Sequence, residues 1–264
     1  MRHILYRFAI DFYYDSDKIK VINQAMGGIL MGYGYGYYGI DFTYLVLVIP
    51  ALLISLYAQF KVKGAFARYS QERCVTGLTG AEAARRILQA NGITDITIEH
   101  IPGSLTDHYA PNEKVIRLSD DVYNVPSIAA VGVAAHECGH AIQYATGYAP
   151  IRLRNAIIPA TQIGSTLSFP LLLVGLMLNF QPLVLIGIAL FSLVTVFQLI
   201  TLPVEFDASN RALKIIDERG MLTREEYSGA KQVLSAAALT YVAALLVSLA
   251  QLLRLLILFG RRRD

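Results

Sequence analysis

The apolar positions of this chain fall in blocks, not at an even spacing. Residues 42–60 carry no charged side chain, nor do residues 155–203 or 232–251, and an apolar run continues past Arg254 to Phe259. The hydrocarbon core of a bilayer takes about 20 apolar residues wound as a helix. The long middle block is interrupted by Asn179-Phe180-Gln181-Pro182, so the pattern predicts four transmembrane helices, at 42–60, 159–179, 182–203 and 233–255. Pro50 and Pro170 fall inside these spans, where neighbouring helices can satisfy the freed carbonyls.

Two polar stretches separate the spans, 61–154 and 204–231. In the first, Thr79-Gly-Ala-Glu82 is a capping-box pattern opening a helix that Asn91-Gly92 closes. Residues 94–101 alternate polar and apolar as a strand does, Val115–Leu118 reads as a second strand, and 102–112 between them is a turn-rich loop. Residues 127–146 return to helical spacing, with Pro126 ahead and Gly147 as the stop. The expected fold is therefore a mainly α membrane protein of about four transmembrane helices carrying a small α+β unit.

Charge gives this arrangement a direction. The first polar stretch opens with Lys61, Lys63, Arg68 and Arg73 and ends with Arg152 and Arg154; the second holds Arg211, Lys214, Arg219, Arg224 and Lys231. The turn between the second and third spans has no Lys or Arg. The positive-inside rule makes both stretches cytoplasmic and the chain a multi-pass protein of the cell membrane. Four spans leave the basic tail 256–264 on the far side, unless the last span is shorter and the tail lies in the interface. Ahead of the first span, the 1–41 tail ends in the Tyr/Gly tract 32–39, suited to a membrane interface. Residues 1–30 lack the zones of a signal peptide, and Met26 or Met31 is an alternative start.

Composition agrees and removes other classes. The chain is 55% hydrophobic and 16% charged, with a mean hydropathy of +0.46, against about a quarter charged in soluble domains. Two cysteines do not make a disulfide scaffold. A net charge of +3 without a basic stripe leaves no nucleic-acid footprint.

The chemistry stands in the 127–146 helix as His136-Glu137-Cys138-Gly139-His140, an H-E-x-x-H. Residues i and i+4 share a helix face, so both imidazoles can address one metal ion, a zinc. Glu137, about 100 degrees round the axis, can reach a water at that metal without binding it. Cys138 points away from the histidine face and reads as a buried small residue, and Cys74 as a free thiol. A catalytic zinc needs a third protein ligand and one open position. His100 and His108 qualify by type alone. Glu205 is better placed: it follows the third span, and a carboxylate so near lipid is costly unless bound or paired. The hairpin of spans two and three also returns the chain to the side of His140. Asp207 is its competitor, and either carboxylate suits a helix start.

H-E-x-x-H, a two-span hairpin and then Glu-Phe-x-Ala-x-x-x-Ala together resemble the membrane gluzincins related to the HtpX and Ste24 proteases. More closely, LTDHYAPNEKVIRLS, SIAAVGVAAHECGHAIQ and LPVEFDASNRA resemble the YugP-type membrane zinc metallopeptidases of bacteria, over nearly everything from Phe42 onward. The resemblance implies a zincin-like unit with one Zn2+ on His136, His140 and Glu205, Glu137 as catalytic base, and peptide-bond hydrolysis as the reaction. Ser209 stands where the HtpX pattern has an Asp four residues after the ligand Glu, so that carboxylate's supporting role does not transfer; Asp207 and Asn210 are the substitutes at hand.

In this reading the zinc lowers the pKa of a water towards about 7, and Glu137 moves its proton to the leaving amine. Tyr109, Tyr144 and His108 are oxyanion donors by type, and an exposed edge of the Val115–Leu118 strand would hold a peptide by β-augmentation. The expected substrate is a polypeptide, membrane or membrane-associated. The rival reading is a non-catalytic zinc-containing scaffold. A transporter is disfavoured because spans two to four hold no Asp or Glu before Glu205.

Overall fold

The computed structural model describes residues 42–259; the expected 1–41 tail, with its Tyr/Gly tract and alternative starts, and the final residues 260–264 lie outside them. The chain divides at Leu47/Val48 into two compact units. The described part of the first is helical and runs into a π-helical turn, Tyr44–Val48. The second holds helices α1 (Ile49–Gln71), α2 (Gly80–Ala90), α3 (Ile128–Ala145), α4 (Ala149–Met177), α5 (Gln181–Glu218) and α6 (Arg224–Phe259). Strands β1 (Thr97–His100), β2 (His108–Ala110) and β3 (Val115–Leu118) lie between α2 and α3.

Four helical stretches are long and apolar enough to cross a membrane: Tyr44–Gln71, Ala149–Met177, Gln181–Glu218 and Arg224–Phe259. Their most apolar windows are only 22–28% buried within the protein, and Leu53, Phe60, Ile163 and Leu199 stand exposed. Apolar side chains turned outward on this scale are what a lipid-facing surface requires.

The helices overrun the predicted spans. A helix stops where a breaker or a better cap intervenes, and, Pro203 apart, none does where the apolar blocks meet the polar stretches. α1 runs on to Gln71, α4 starts ten residues ahead of its predicted span, and α5 continues through Pro203 to Glu218. Pro203 removes one N–H and one helical bond without ending the helix. That continuity carries Glu205 out of the apolar block on a rigid element. α4 and α5 form a close antiparallel hairpin, in which a Cβ on Gly187 would meet Leu172 at 2.7 Å.

The polar stretch folds as its local signals predict at the helix ends. Thr79 Oγ1 accepts from Glu82 N while Glu82 Oε2 accepts from Thr79 N, the reciprocal capping box. Ser127 caps α3 by accepting from Ala130 N. The sheet differs from expectation. Its order is β1-β3-β2, with β1 parallel and β2 antiparallel to β3. Val115–Leu118 is therefore the central strand, paired on both sides, and has no free edge to offer a peptide. The turn-rich 102–112 segment supplies the missing partner, β2, because His108-Tyr109-Ala110 can form a short ladder between its turns. The first strand is also shorter than the 94–101 alternation suggested.

α3 is the central rod of this unit. Its small residues Ala129, Ala130, Ala134 and Ala135 are fully buried against α2, the sheet, α5 and α6, together with Ile87, Ile116, Leu118 and Ile216. Each of those larger side chains contributes about 1.5–3 kcal/mol by leaving water.

Candidate metal centre

His136 and His140, one turn apart on α3, stack edge to face with ring centroids 4.7 Å apart. Between them Gly139 faces α5, where a Cβ would land inside van der Waals contact of the Ala208 carbonyl. The absent side chain lets the two backbones touch, and this contact brings Glu205 to the histidines. Glu205 Oε2 lies 3.4 Å from His136 Nε2 and 3.6 Å from His140 Nε2. One donor atom from each of the three residues falls within 4.8 Å of the others.

Zinc bonds to imidazole nitrogen and carboxylate oxygen are about 2.0–2.2 Å, so tetrahedral ligands stand about 3.3–3.6 Å apart. The two Glu205 distances match that edge length. Oε2 is buried and has no hydrogen-bond partner among the described residues. An ionised oxygen buried in this way is costly unless a cation meets it. Two imidazole nitrogens, one carboxylate oxygen and an open fourth position are the donor set of a catalytic zinc.

The other candidates stand elsewhere. His100 Nε2 pairs with Asp120 Oδ1 at 2.7 Å, and His108 Nδ1 meets the Thr106 carbonyl at 2.8 Å. Asp207 turns to Gln143 and Arg211. Cys138 points into the core, its Sγ 3.6 Å from the Ala84 carbonyl on α2, and is a buried free thiol, as is Cys74.

Glu137 is buried beside the histidines, and its Oε2 accepts from Tyr109 N of β2 at 2.9 Å. Burial pushes its carboxyl up to about 7, against the opposing charge of His136, with Asp107 and Glu205 adding to the rise. A carboxyl poised near neutrality suits a group that takes and returns a proton.

Around the donors lies a second set of contacts. Ser209 Oγ is 3.2 Å from His136 Nδ1. The position that lacks the expected carboxylate thus still reaches His136, through a hydroxyl. His140 Nδ1 meets Gln143 Oε1 at 3.0 Å, and Gln143 Nε2 reaches the Val204 carbonyl and Asp207 Oδ2, each at 2.8 Å. Arg211 Nε holds Asp207 at 2.6 Å. Arg154, from the first turns of α4, brings Nη1 to 3.7 Å from Glu205 Oε1 and lays its guanidinium over the Phe197 ring. Tyr241 of α6 stands within electrostatic reach of Glu205, Arg154 and Glu137.

Of the tyrosines considered as oxyanion donors, Tyr144 exchanges hydrogen bonds with Asn155, and the Tyr109 ring packs edge-on against it at 5.5 Å. Gln143, Arg154 and Tyr241 escaped sequence reasoning. Gln143, three residues past His140 on one helix, had a positional signal. Tyr241 had a weaker one as the one aromatic in the uncharged 232–251 block.

The sequence family described as "Putative neutral zinc metallopeptidase" matches residues 44–260. The chain belongs to this family. It is also 49% identical over 221 residues to the "Putative membrane protease YugP" of Bacillus subtilis (strain 168), an alignment covering 84% of this chain and 98% of that relative. No solved structure matches it significantly.

Proposed function

We propose that the chain is an integral-membrane, zinc-dependent endopeptidase of the cell membrane, cleaving polypeptides at the cytoplasmic face. The observation that carries this reading is the buried Glu205 Oε2, without a hydrogen-bond partner among the described residues and at a tetrahedral edge's distance from two imidazole nitrogens, with Glu137 alongside. His136, His140 and Glu205 hold one Zn2+. When bound, zinc supplies the Lewis acidity that lowers a water's pKa and offsets charge growing on a peptide carbonyl oxygen.

The chain's own residues do the rest. Glu137 takes the water's proton and returns it to the departing amine, while the Tyr109 N–H fixes the carboxylate's direction. The substrate lies extended along β2, the edge strand that touches Glu137, in place of the central β3. Site and spans share helix α5, which favours a membrane or membrane-associated protein as substrate. The cytoplasmic orientation rests on the Lys and Arg of the two polar stretches.

The test is cleavage of casein and of a membrane-protein substrate by full-length, zinc-loaded protein in detergent, wild type against Glu137→Gln. The variant should keep its zinc and lose about 10²–10⁴-fold in rate. Full proteolysis by the variant contradicts the assignment of Glu137; zinc binding by a wild type without cleavage favours the scaffold.

A further inference from the structure

Gln143 is fully buried between α3 and α5, and its amide has one allowed orientation. Nε2 lies 2.8 Å from the Val204 carbonyl and 2.8 Å from Asp207 Oδ2, the latter gripped by Arg211. A backbone carbonyl and an ion-paired carboxylate only accept hydrogen bonds, so the end of the amide facing them is the NH2, and both its protons are used. The other end, Oε1, then faces His140 Nδ1 at 3.0 Å. Oε1 carries no proton, so Nδ1 must carry one. The lone pair of the imidazole is left on Nε2, the atom turned towards Glu205.

We infer that Gln143 is a positioning residue of the metal centre, locking His140 in the tautomer that can bind a metal through Nε2 and tying α5 down at Val204, next to Glu205. One amide thereby sets two of the three ligands, one from each helix. Asp207 and Arg211 anchor the chain's far end and direct the amide. His136 has no such lock: its partner, the Ser209 hydroxyl, can donate or accept. Loss of Gln143 therefore frees a ligand on α3 and the backbone beside another on α5, whereas loss of Ser209 touches one ligand.

This inference rests on the reading of His136, His140 and Glu205 as a zinc site, and the experiment separates the two. Zn2+ affinity of the full-length protein in detergent is measured by competition with a chromophoric chelator, and the visible spectrum of the Co2+-loaded form is recorded, for wild type, Gln143→Leu, Asp207→Asn and Ser209→Ala. Melting of the metal-free proteins is followed in parallel. Gln143→Leu, close in volume, should weaken Zn2+ by about 10–100-fold and alter the Co2+ bands. Asp207→Asn, which keeps the shape and removes the charge, should weaken it by about three- to tenfold, and Ser209→Ala by less than Gln143→Leu.

A folded Gln143→Leu that binds Zn2+ within twofold of wild type with an unchanged Co2+ spectrum overturns the inference, even if its metal-free melting point falls. Should that variant not fold, an Asp207→Asn protein indistinguishable from wild type overturns it instead. A wild type that binds no Zn2+ sinks the zinc reading itself.

Discussion

Helices α3 and α5 are both rich in apolar residues, and they use them differently. α3 buries 13 of its 18 residues inside the protein, with no run of outward-facing apolar side chains. α5 buries 12 of 38, and eight of those twelve come at or after Thr201. Before that point it presents Leu185, Ile186, Val196 and Leu199 outward; beyond it, Val204 and Ala208 are fully buried, and Ala212, Leu213 and Ile216 pack into the same core as α3. One unbroken helix thus changes from a lipid-facing rod to a core element, and Glu205 sits at the changeover. Glu205 is thus carried by an apolar helix of membrane-crossing length yet meets His136 and His140 of the polar unit. The pairing ties the geometry of the site to the seating of the spans.

That comparison can be broken at its contact point. Gly139→Leu places a side chain against the Ala208 backbone and drives α3 from α5, so it should cost more than about 4 kcal/mol of stability and empty the zinc site; thermal unfolding in detergent with metal analysis reads both. Ile216→Ala removes a fully buried side chain from the core end of α5 and should cost about 2–5 kcal/mol. Val196→Ala, at the exposed end, should change detergent stability by no more than about 0.5 kcal/mol; equal losses in the two would erase the distinction. Val196→Lys sharpens it further, since a charge within a span adds up to about 2.5–3.5 kcal/mol to membrane insertion, read as lost integration in a translocation assay.

The smallest expected effect concerns Asp107 in the polar unit. Burial raises its carboxyl above the ordinary value, against hydrogen bonds from Ser119 N and Oγ. The folded state then holds the proton more tightly than the unfolded one. Its unfavourable contribution is absent at low pH and grows as pH rises from the ordinary aspartate range through the raised folded value. Asp107→Asn keeps an acceptor for Ser119 N and removes that slope, so stability-versus-pH curves of the two proteins should converge at acid pH and separate above it, with the variant flatter.

Legibility followed the range of the interactions. H-E-x-x-H and the capping box are set within one helical turn, and the spans within one apolar run, so residues 136–140, Thr79 and the four apolar helices could be read directly. The approach of Glu205 to His136 and His140 was legible because a two-span hairpin returns the chain to its starting side. The strand roles were not: that β3 is central depends on β2 forming within a segment whose turns mask it. Arg154 and Tyr241 reach the site by the packing of α4 and α6 around α5, which no local spacing encodes. Ser209 read as a loss against the HtpX pattern, yet a hydroxyl on the same helix face still reaches His136 Nδ1.

Zinc stoichiometry puts the central claim to its most direct test. Full-length protein purified in detergent, with Zn2+ supplied and excess removed, should hold one zinc per chain by elemental analysis, and Glu205→Ala, folded to the same helical content, should hold almost none. A Glu205→Ala protein that keeps one zinc per chain would contradict the account.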